Sequence, residues 1–242
     1  MIAIENLKKS FGENQVLKGV NLNVEKGETM VVIGRSGCGK TVLLKLIIGL
    51  LKPDTGSILI DGEDITKVKY KRLLDIRKKV GMLFQASALF DSLTVEQNVG
   101  LALRRHSKLP DKEIREKIQK CLAVVELNGI ERLLPSEISG GMKKRVGLAR
   151  AVAMDPEIVL YDEPTAGLDP VTAQGIIRLI IELQNRLSVT SIAVTHDLET
   201  AYEIGDRIAL LYNGRIHFVG TPEQIKTSED RVVRQFINRE TV

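Results

Sequence analysis

Gly34-Arg35-Ser36-Gly37-Cys38-Gly39-Lys40-Thr41 places a glycine, four free positions and then Gly-Lys-Thr in a row, which is the spacing of a phosphate-binding loop. The apolar run Met30-Val31-Val32-Ile33 in front of it reads as a buried strand, and residues 42–51 behind it read as a helix. A strand leading in and a helix leading out are the context this loop needs. Gly34, Gly37 and Gly39 let the backbone bend tightly, so that its N–H groups converge on phosphate oxygens. The helix opening at Lys40 points the positive end of its dipole at the same spot. In this pattern Lys40 reaches the β- and γ-phosphates and Thr41 offers its hydroxyl to Mg²⁺. An unliganded glycine-rich turn has no reason to satisfy every fixed position and both flanks. The loop implies a bound nucleotide, but not which one, nor what its energy drives.

The chain has 242 residues, enough for one large domain or a domain with a subdomain. Apolar residues make up 43%, so a sizeable core can form. The net charge of +4 is too small an excess to imply nucleic acid. Cys38 and Cys121 form no spaced framework, which points to a reducing compartment. Met1-Ile2-Ala3-Ile4 leads straight into a polar segment, unlike a signal peptide. No apolar run approaches the ~18 residues of a membrane span. The expectation is a cytoplasmic chain that meets a membrane only through a partner.

Around the loop, Ile2-Ala3-Ile4, residues 16–24 and Ser57-Ile58-Leu59-Ile60 read as strands separated by polar turns. Strands on both sides of one loop-helix unit imply a mixed, partly antiparallel sheet. The basic stretch 65–79 reads as a solvated face rather than a membrane contact. After the strand Val80-Gly81-Met82-Leu83-Phe84 the pattern turns helical. Residues 94–103 and 111–127 are expected helices, the second capped by Asp111, with Ile114, Ile118, Cys121 and Val125 on one face. A helical insertion is expected over about residues 86–153 of a single domain. Ser139-Gly140-Gly141 opens a helix over residues 142–153, Ile158-Val159-Leu160-Tyr161 is a strand, and Asp169-Pro170 starts a helix running to about residue 187. Residues 191–195 form another core strand. The tail reads as two strands about Asn213-Gly214, then a helical segment over about residues 222–242. There is no internal repeat.

Ligands of parallel α/β sheets gather at the carboxyl ends of the strands. Gln85, Asp162-Glu163 and His196 each follow an apolar strand. Asp162 holds the position of a carboxylate that orients Mg²⁺, and Glu163 beside it can take or orient a water proton. His196 can hydrogen-bond a γ-phosphate, although a lone histidine is as often structural; His106 and His217 have no such setting. Ser139-Gly140-Gly141, followed by Lys143, Lys144 and Arg145, reads equally as an anion cup at a helix start or as an ordinary serine cap.

Taken together and in this order, the loop 34–41, Gln85, Ile138-Ser139-Gly140-Gly141-Met142, Leu160-Tyr161-Asp162-Glu163, Ala166-Gly167-Leu168-Asp169 and His196 resemble the ATPase subunit of an ABC transporter, over nearly the whole chain. The resemblance implies the ABC ATPase fold: α/β, with a P-loop core on a mixed central sheet, an antiparallel β-subdomain and a helical insertion. It implies ATP and Mg²⁺ as ligands. Phe11 then corresponds to the aromatic residue stacked on adenine. The loop residues Gly34, Arg35, Ser36, Gly37, Cys38, Gly39, Lys40 and Thr41 hold phosphates, with Thr41, Gln85 and Asp162 at the metal. Ser139, Gly140 and Gly141 form the signature that meets the γ-phosphate across a dimer interface. Glu163 is the catalytic base, His196 the γ-phosphate switch, and Asp169 lies in a dimer-contact loop. The implied partners are a second ATPase subunit, in a head-to-tail dimer around two ATP molecules, and a transmembrane permease.

One position departs from the family: Met142 stands where the signature usually ends in glutamine. Gly-Met-Lys-Lys-Arg-Val-Gly-Leu-Ala-Arg and the tail Asp230-Arg231-Val232-Val233-Arg234-Gln235-Phe236 resemble the branch serving bacterial lipid transport, the Mla and Mce systems. That likeness adds a lipid-binding substrate protein as a third partner and places the chain at the inner face of the membrane. A transporter for another substrate stays open. An ATP-driven clamp on nucleic acid usually carries two ATPase domains or a long coiled coil, and this sequence has neither. A P-loop GTPase needs Asn-Lys-x-Asp, and no Asn-Lys occurs. A P-loop kinase would lack Ser-Gly-Gly.

Overall fold

The computed structural model describes residues 2–238. In chain order the strands are β1 (Ile2–Phe11), β2 (Asn14–Val24), β3 (Thr29–Ile33), β4 (Thr55–Ile60), β5 (Glu63–Asp64), β6 (Val80–Leu83), β7 (Ile158–Asp162), β8 (Thr190–Thr195), β9 (Arg207–Tyr212) and β10 (Arg215–Gly220). The helices are α1 (Lys40–Ile47), α2 (Tyr70–Arg77), α3 (Val95–His106), α4 (Asp111–Val124), α5 (Gly140–Val152), α6 (Pro170–Leu187), α7 (Leu198–Ile204), α8 (Pro222–Lys226) and α9 (Arg231–Ile237). The chain divides into two compact units, one built from the residues up to Leu74 and from Thr190 on, the other from residues 75–189.

The first unit contains an antiparallel sheet in the order β2-β1-β4-β5. Alternation along β2 buries Leu17, Val20, Leu22 and Val24, as a strand with one solvated face requires. β1 bulges between Ile4 and Leu7, where Asn6 turns to φ 46°. Gly56 is needed beside that bulge, because a Cβ there would lie 2.5 Å from the Asn6 carbonyl oxygen. In the same unit β3 runs parallel to both β8 and β9, and β9 pairs antiparallel with β10. Every residue of β3 and β8 is buried, which is why both read as unbroken apolar or small-polar runs.

In the second unit β6 and β7 pair in parallel. α3 starts with a capping box between Thr94 and Gln97. α6 starts with Asp169 as cap and Pro170 in its first turn, as expected, and buries Ile176, Ile177, Leu179, Ile180 and Leu183 along one face.

Several local expectations need correction. The helix after the phosphate loop stops at Ile47 rather than residue 51, because Gly49 takes the left-handed φ of 69° just past the cap. α4 is capped by Pro110 without a side-chain bond, and Asp111 is its first helical residue. Its buried face is Ile114, Ile118 and Leu122, continued by the buried Val125 just past the helix as expected, with Cys121 only half-buried. The basic stretch contains α2, in which only Ile76 is buried. Its charges pair with neighbours: Arg72 with Glu63, Lys78 with Asp75, and Lys67 with Asp64. The turn after His196 leads into α7, a helix the apolar pattern does not announce. In the tail, residues 239–242 of the expected segment lie outside the described residues; α8 and α9 account for most of the rest.

Candidate functional site

In the first unit the phosphate loop runs from the end of β3 into α1. Gly37 has φ 78° with open space where a Cβ would stand, and Gly39 has φ 107° as the cap of α1. Gly34 is wedged against the Leu211 carbonyl, 2.6 Å from where a Cβ would be. Arg35 and Ser36 are exposed, Cys38 and Thr41 are half-buried, and Lys40 is buried. The Lys40 ammonium donates to the Gly34 carbonyl at 2.8 Å and to the Arg35 carbonyl at 3.3 Å, so its charge is held inside the curve of the loop. His196 is brought to the loop by strand register. Ile33 pairs with Thr195, so Gly34 and His196 leave adjacent parallel strands at the same level. Phe11 ends β1 with 49% of its surface exposed, and the Lys9 ammonium sits 5.5 Å from its ring centre. An exposed ring is what stacking on a base requires.

Lys40→Ala is expected to weaken ATP binding by about tenfold or more, since bonds to charged groups are the strong ones. Equilibrium titration with a fluorescent ATP analogue on the folded variant measures it. Unchanged affinity would remove Lys40 from the phosphate-binding role.

In the second unit, register likewise aligns Leu83 with Tyr161, so Gln85 and the Asp162-Glu163 pair follow neighbouring strand ends. Asp162 and Glu163 are 3% and 8% exposed. Glu163 has φ 47°, and Ala166 N–H donates to its carbonyl at 3.2 Å. The buried Lys144 ammonium donates to the same carbonyl at 2.9 Å. Burial pushes the Lys144 pKa down to about 8, against the opposing pull of the Asp162 and Glu163 carboxylates.

Gln85 is exposed, in a turn closed by Ser87 N–H to the Phe84 carbonyl at 2.8 Å. Ser87 and Ala88 in that turn are left-handed, and the Arg150 guanidinium of α5 ties down their carbonyls at 2.5 and 2.7 Å. The next segment is fastened by Asn98, fully buried, whose amide bonds both main-chain groups of Phe90 and the carbonyls of Leu93 and Thr94.

Ser139 caps α5, its hydroxyl accepting from Met142 N–H at 3.3 Å. Gly140 faces open space, whereas a Cβ on Gly141 would come within 2.6 Å of the Thr172 methyl in α6. Thr172 in turn donates through its N–H and its hydroxyl to the Asp169 carboxylate, holding that carboxyl below its usual pKa. Ser139, Gly140, Asp169 and Val171 are exposed, Val171 at 83%.

From the sequence Lys144 stood only among the cations behind the signature, its burial unread, and Arg150 and Asn98 were assigned no role. For Lys144 a signal existed. It shares the spacing i, i+3, i+4, i+7 with Gly147, Leu148 and Ala151, so a lysine was sitting on the apolar stripe of its helix. A cavity of about 410 Å³ between α4 and α6, lined by Leu109, Cys121, Val124, Val152, Leu183 and Leu187 among others, includes none of the candidate nucleotide-site residues.

The described residues contain no cluster of three His, Cys, Asp or Glu side chains able to hold a metal by themselves. Thr41 in the first unit and Asp162 in the second each carry a hard oxygen donor of the kind Mg²⁺ takes.

The ABC transporter family model matches residues 17–166. The chain belongs to that family. It is 44% identical over 237 residues to the probable ribonucleotide transport ATP-binding protein mkl of Mycobacterium tuberculosis, a match covering 98% of this chain and 66% of that protein. It is 41% identical over 241 residues to the intermembrane phospholipid transport system ATP-binding protein MlaF of Haemophilus influenzae, covering 100% of this chain and 91% of that one. The chain thus spans just under two thirds of the length of the mycobacterial relatives and most of MlaF. Its fold is that of the ATP-binding cassette MJ0796, solved as a dimer in a post-hydrolysis state with ADP and Pi. The TM-score is 0.85 at 34% identity, over 92% of this chain and 99% of that one. CbiO1 of Clostridium perfringens, part of the ABC transporter complex cbiONQ, matches at TM-score 0.85 and 32% identity over 99% of this chain and 95% of that one. The mixed α/β core with an antiparallel β-subdomain is therefore the cassette fold. Among the described residues no helix is long and apolar enough to cross a membrane.

Proposed function

We propose that this chain is the ATP-hydrolysing subunit of an ABC transporter that moves phospholipid or another lipid. The observation that carries the reading is the buried Asp162-Glu163 pair at the end of β7, in a chain that also holds a complete phosphate loop. Lys40 and the loop N–H groups bind the phosphates of ATP, and Phe11 stacks on the base. Thr41, Asp162 and Gln85 hold Mg²⁺, which when bound neutralises charge on the phosphate oxygens. Glu163 accepts a proton from the attacking water as its oxygen bonds to the γ-phosphorus. The bond from that phosphorus to the bridging oxygen breaks, and ADP leaves. His196 hydrogen-bonds the γ-phosphate. Ser139 and Gly141 serve the nucleotide of a second copy, a role supported by the exposure of Ser139 and Gly140 and by the packing of Gly141 against Thr172, three residues from the exposed Asp169.

The lipid cargo is supported by the Met142 signature and by the likeness to MlaF, which extends over the whole chain. The mycobacterial relatives are named for ribonucleotide transport, so ribonucleotide is the second reading. Co-purifying the chain with its permease and measuring ATP hydrolysis against added phospholipid and added ribonucleotide separates the two. Stimulation by phospholipid alone is expected; stimulation by ribonucleotide alone would overturn the lipid reading.

The chain works at the inner face of the membrane, against a permease and in company with a lipid-binding substrate protein. The segment after Gln85 is the proposed permease contact. Phe90 is 53% exposed although its backbone is fastened by Asn98, while Leu89 and Leu93 are half-buried. Phe90→Asp is expected to shift the stability of the isolated chain by only about 0.5 kcal/mol, as surface changes do, and to abolish co-purification with the permease. A stable variant that still binds the permease would remove Phe90 from the contact.

A further inference from the structure

Lys144 is 4% exposed in the second turn of α5, the helix whose first turn is the Ser139-Gly140-Gly141 signature. A buried ammonium is costly unless it is bonded. This one donates to a main-chain carbonyl, that of Glu163, which already accepts from Ala166 N–H. The carbonyl therefore does not need a cation to be satisfied, and an apolar side chain would fill the same volume at lower cost.

What is unusual lies at Glu163. Its φ of 47° is left-handed, a region that side chains with a Cβ avoid, and the next residue is Pro164. Such a conformation persists only where the surroundings over-determine it, and such sites cluster where geometry matters to chemistry. The direction of the Glu163 side chain follows from that φ. A shift of the carbonyl would turn the carboxylate with it.

We propose that Lys144 is a positioning residue, whose bond to the Glu163 carbonyl locks the left-handed Glu163-Pro164 turn and so fixes where the Glu163 carboxylate is held. The proposal rests on the reading of Glu163 as the base. It has a mechanical consequence. The Lys143 N–H bonds the Ser139 carbonyl at 2.9 Å, so the signature end of α5 and the attachment point of Lys144 belong to one stretch of helix. A push on the signature reaches the turn that aims Glu163 in the same chain.

The test uses the full chain with Lys144→Met, Lys144→Gln and Glu163→Gln, measuring kcat, KM for ATP and melting temperature. Lys144→Met is expected to lower kcat by about tenfold while KM and melting temperature stay near wild type, and Lys144→Gln, which keeps a donor, to recover part of that loss. Lys144→Met with unchanged kcat overturns the proposal. So does a loss of kcat that follows a loss of melting temperature and is no smaller in Lys144→Gln, since that pattern marks a merely structural lysine. Glu163→Gln keeps the two ideas apart. If it is inactive while Lys144→Met is active, only the positioning role fails. If Glu163→Gln turns over like wild type, the reading of Glu163 as base fails, and the positioning role with it.

Discussion

Glu163→Gln is expected to lower ATP turnover by about a hundredfold or more while leaving ATP affinity near wild type. The substitution keeps the shape of the side chain and removes the group that takes the proton from water. Glu163 is 8% exposed at the end of β7 and its main chain is held by Lys144 and Ala166, so the glutamine has every reason to occupy the same place. The backbone strain is unaltered, since neither residue favours φ near 47°. With binding intact and hydrolysis stopped, the ATP-bound form should accumulate as a dimer, visible by size exclusion with Mg²⁺ and ATP. Turnover within a few-fold of wild type would take Glu163 out of the catalytic role.

The second large effect is expected at Ser139. Its side chain caps α5 and is exposed, beside an open Gly140 and near the exposed Asp169 and Val171. Ser139→Arg sets a bulky cation on that surface. It also removes the cap, at about 1 kcal/mol of helix stability, too little to unfold a domain of this size. The variant should bind ATP as a monomer and fail to close with a second copy. Its hydrolysis rate should lose the second-order dependence on protein concentration that a dimeric enzyme shows. Equal hydrolysis by the variant and the wild type would remove the signature from the reaction.

The parts legible in the sequence were those whose chemistry demands particular residues in a fixed order. The phosphate loop needs glycines at positions with φ of 78° and 107° and a lysine just after them, so spacing alone gives it away. The strand-end groups Asp162-Glu163 and His196 were legible because β7 and β8 are buried throughout and their apolar runs break at a polar residue. Asp169-Pro170 announced α6 because cap and first-turn residues are local chemistry.

What stayed hidden depends on distant parts of the chain. Nothing near Lys144 in sequence tells which carbonyl it meets. The left-handed turns at Ser87, Ala88 and Glu163 are held by Arg150 and Lys144 from another element, and no glycine marks them. α2 was masked by its own charges, since only Ile76 faces inward. The end of α1 was misplaced because the apolar pattern runs on past Gly49, where the backbone has already turned.

The most direct test of the central claim is phosphate release from ATP by the purified chain, followed over a range of protein concentrations beside Lys40→Ala. The predicted result is ADP and inorganic phosphate in equal amounts, at a rate per chain that rises with concentration as dimers form and falls to background in the variant. Release no faster than that of Lys40→Ala at any concentration, from a chain shown to be folded and to bind ATP, would contradict it.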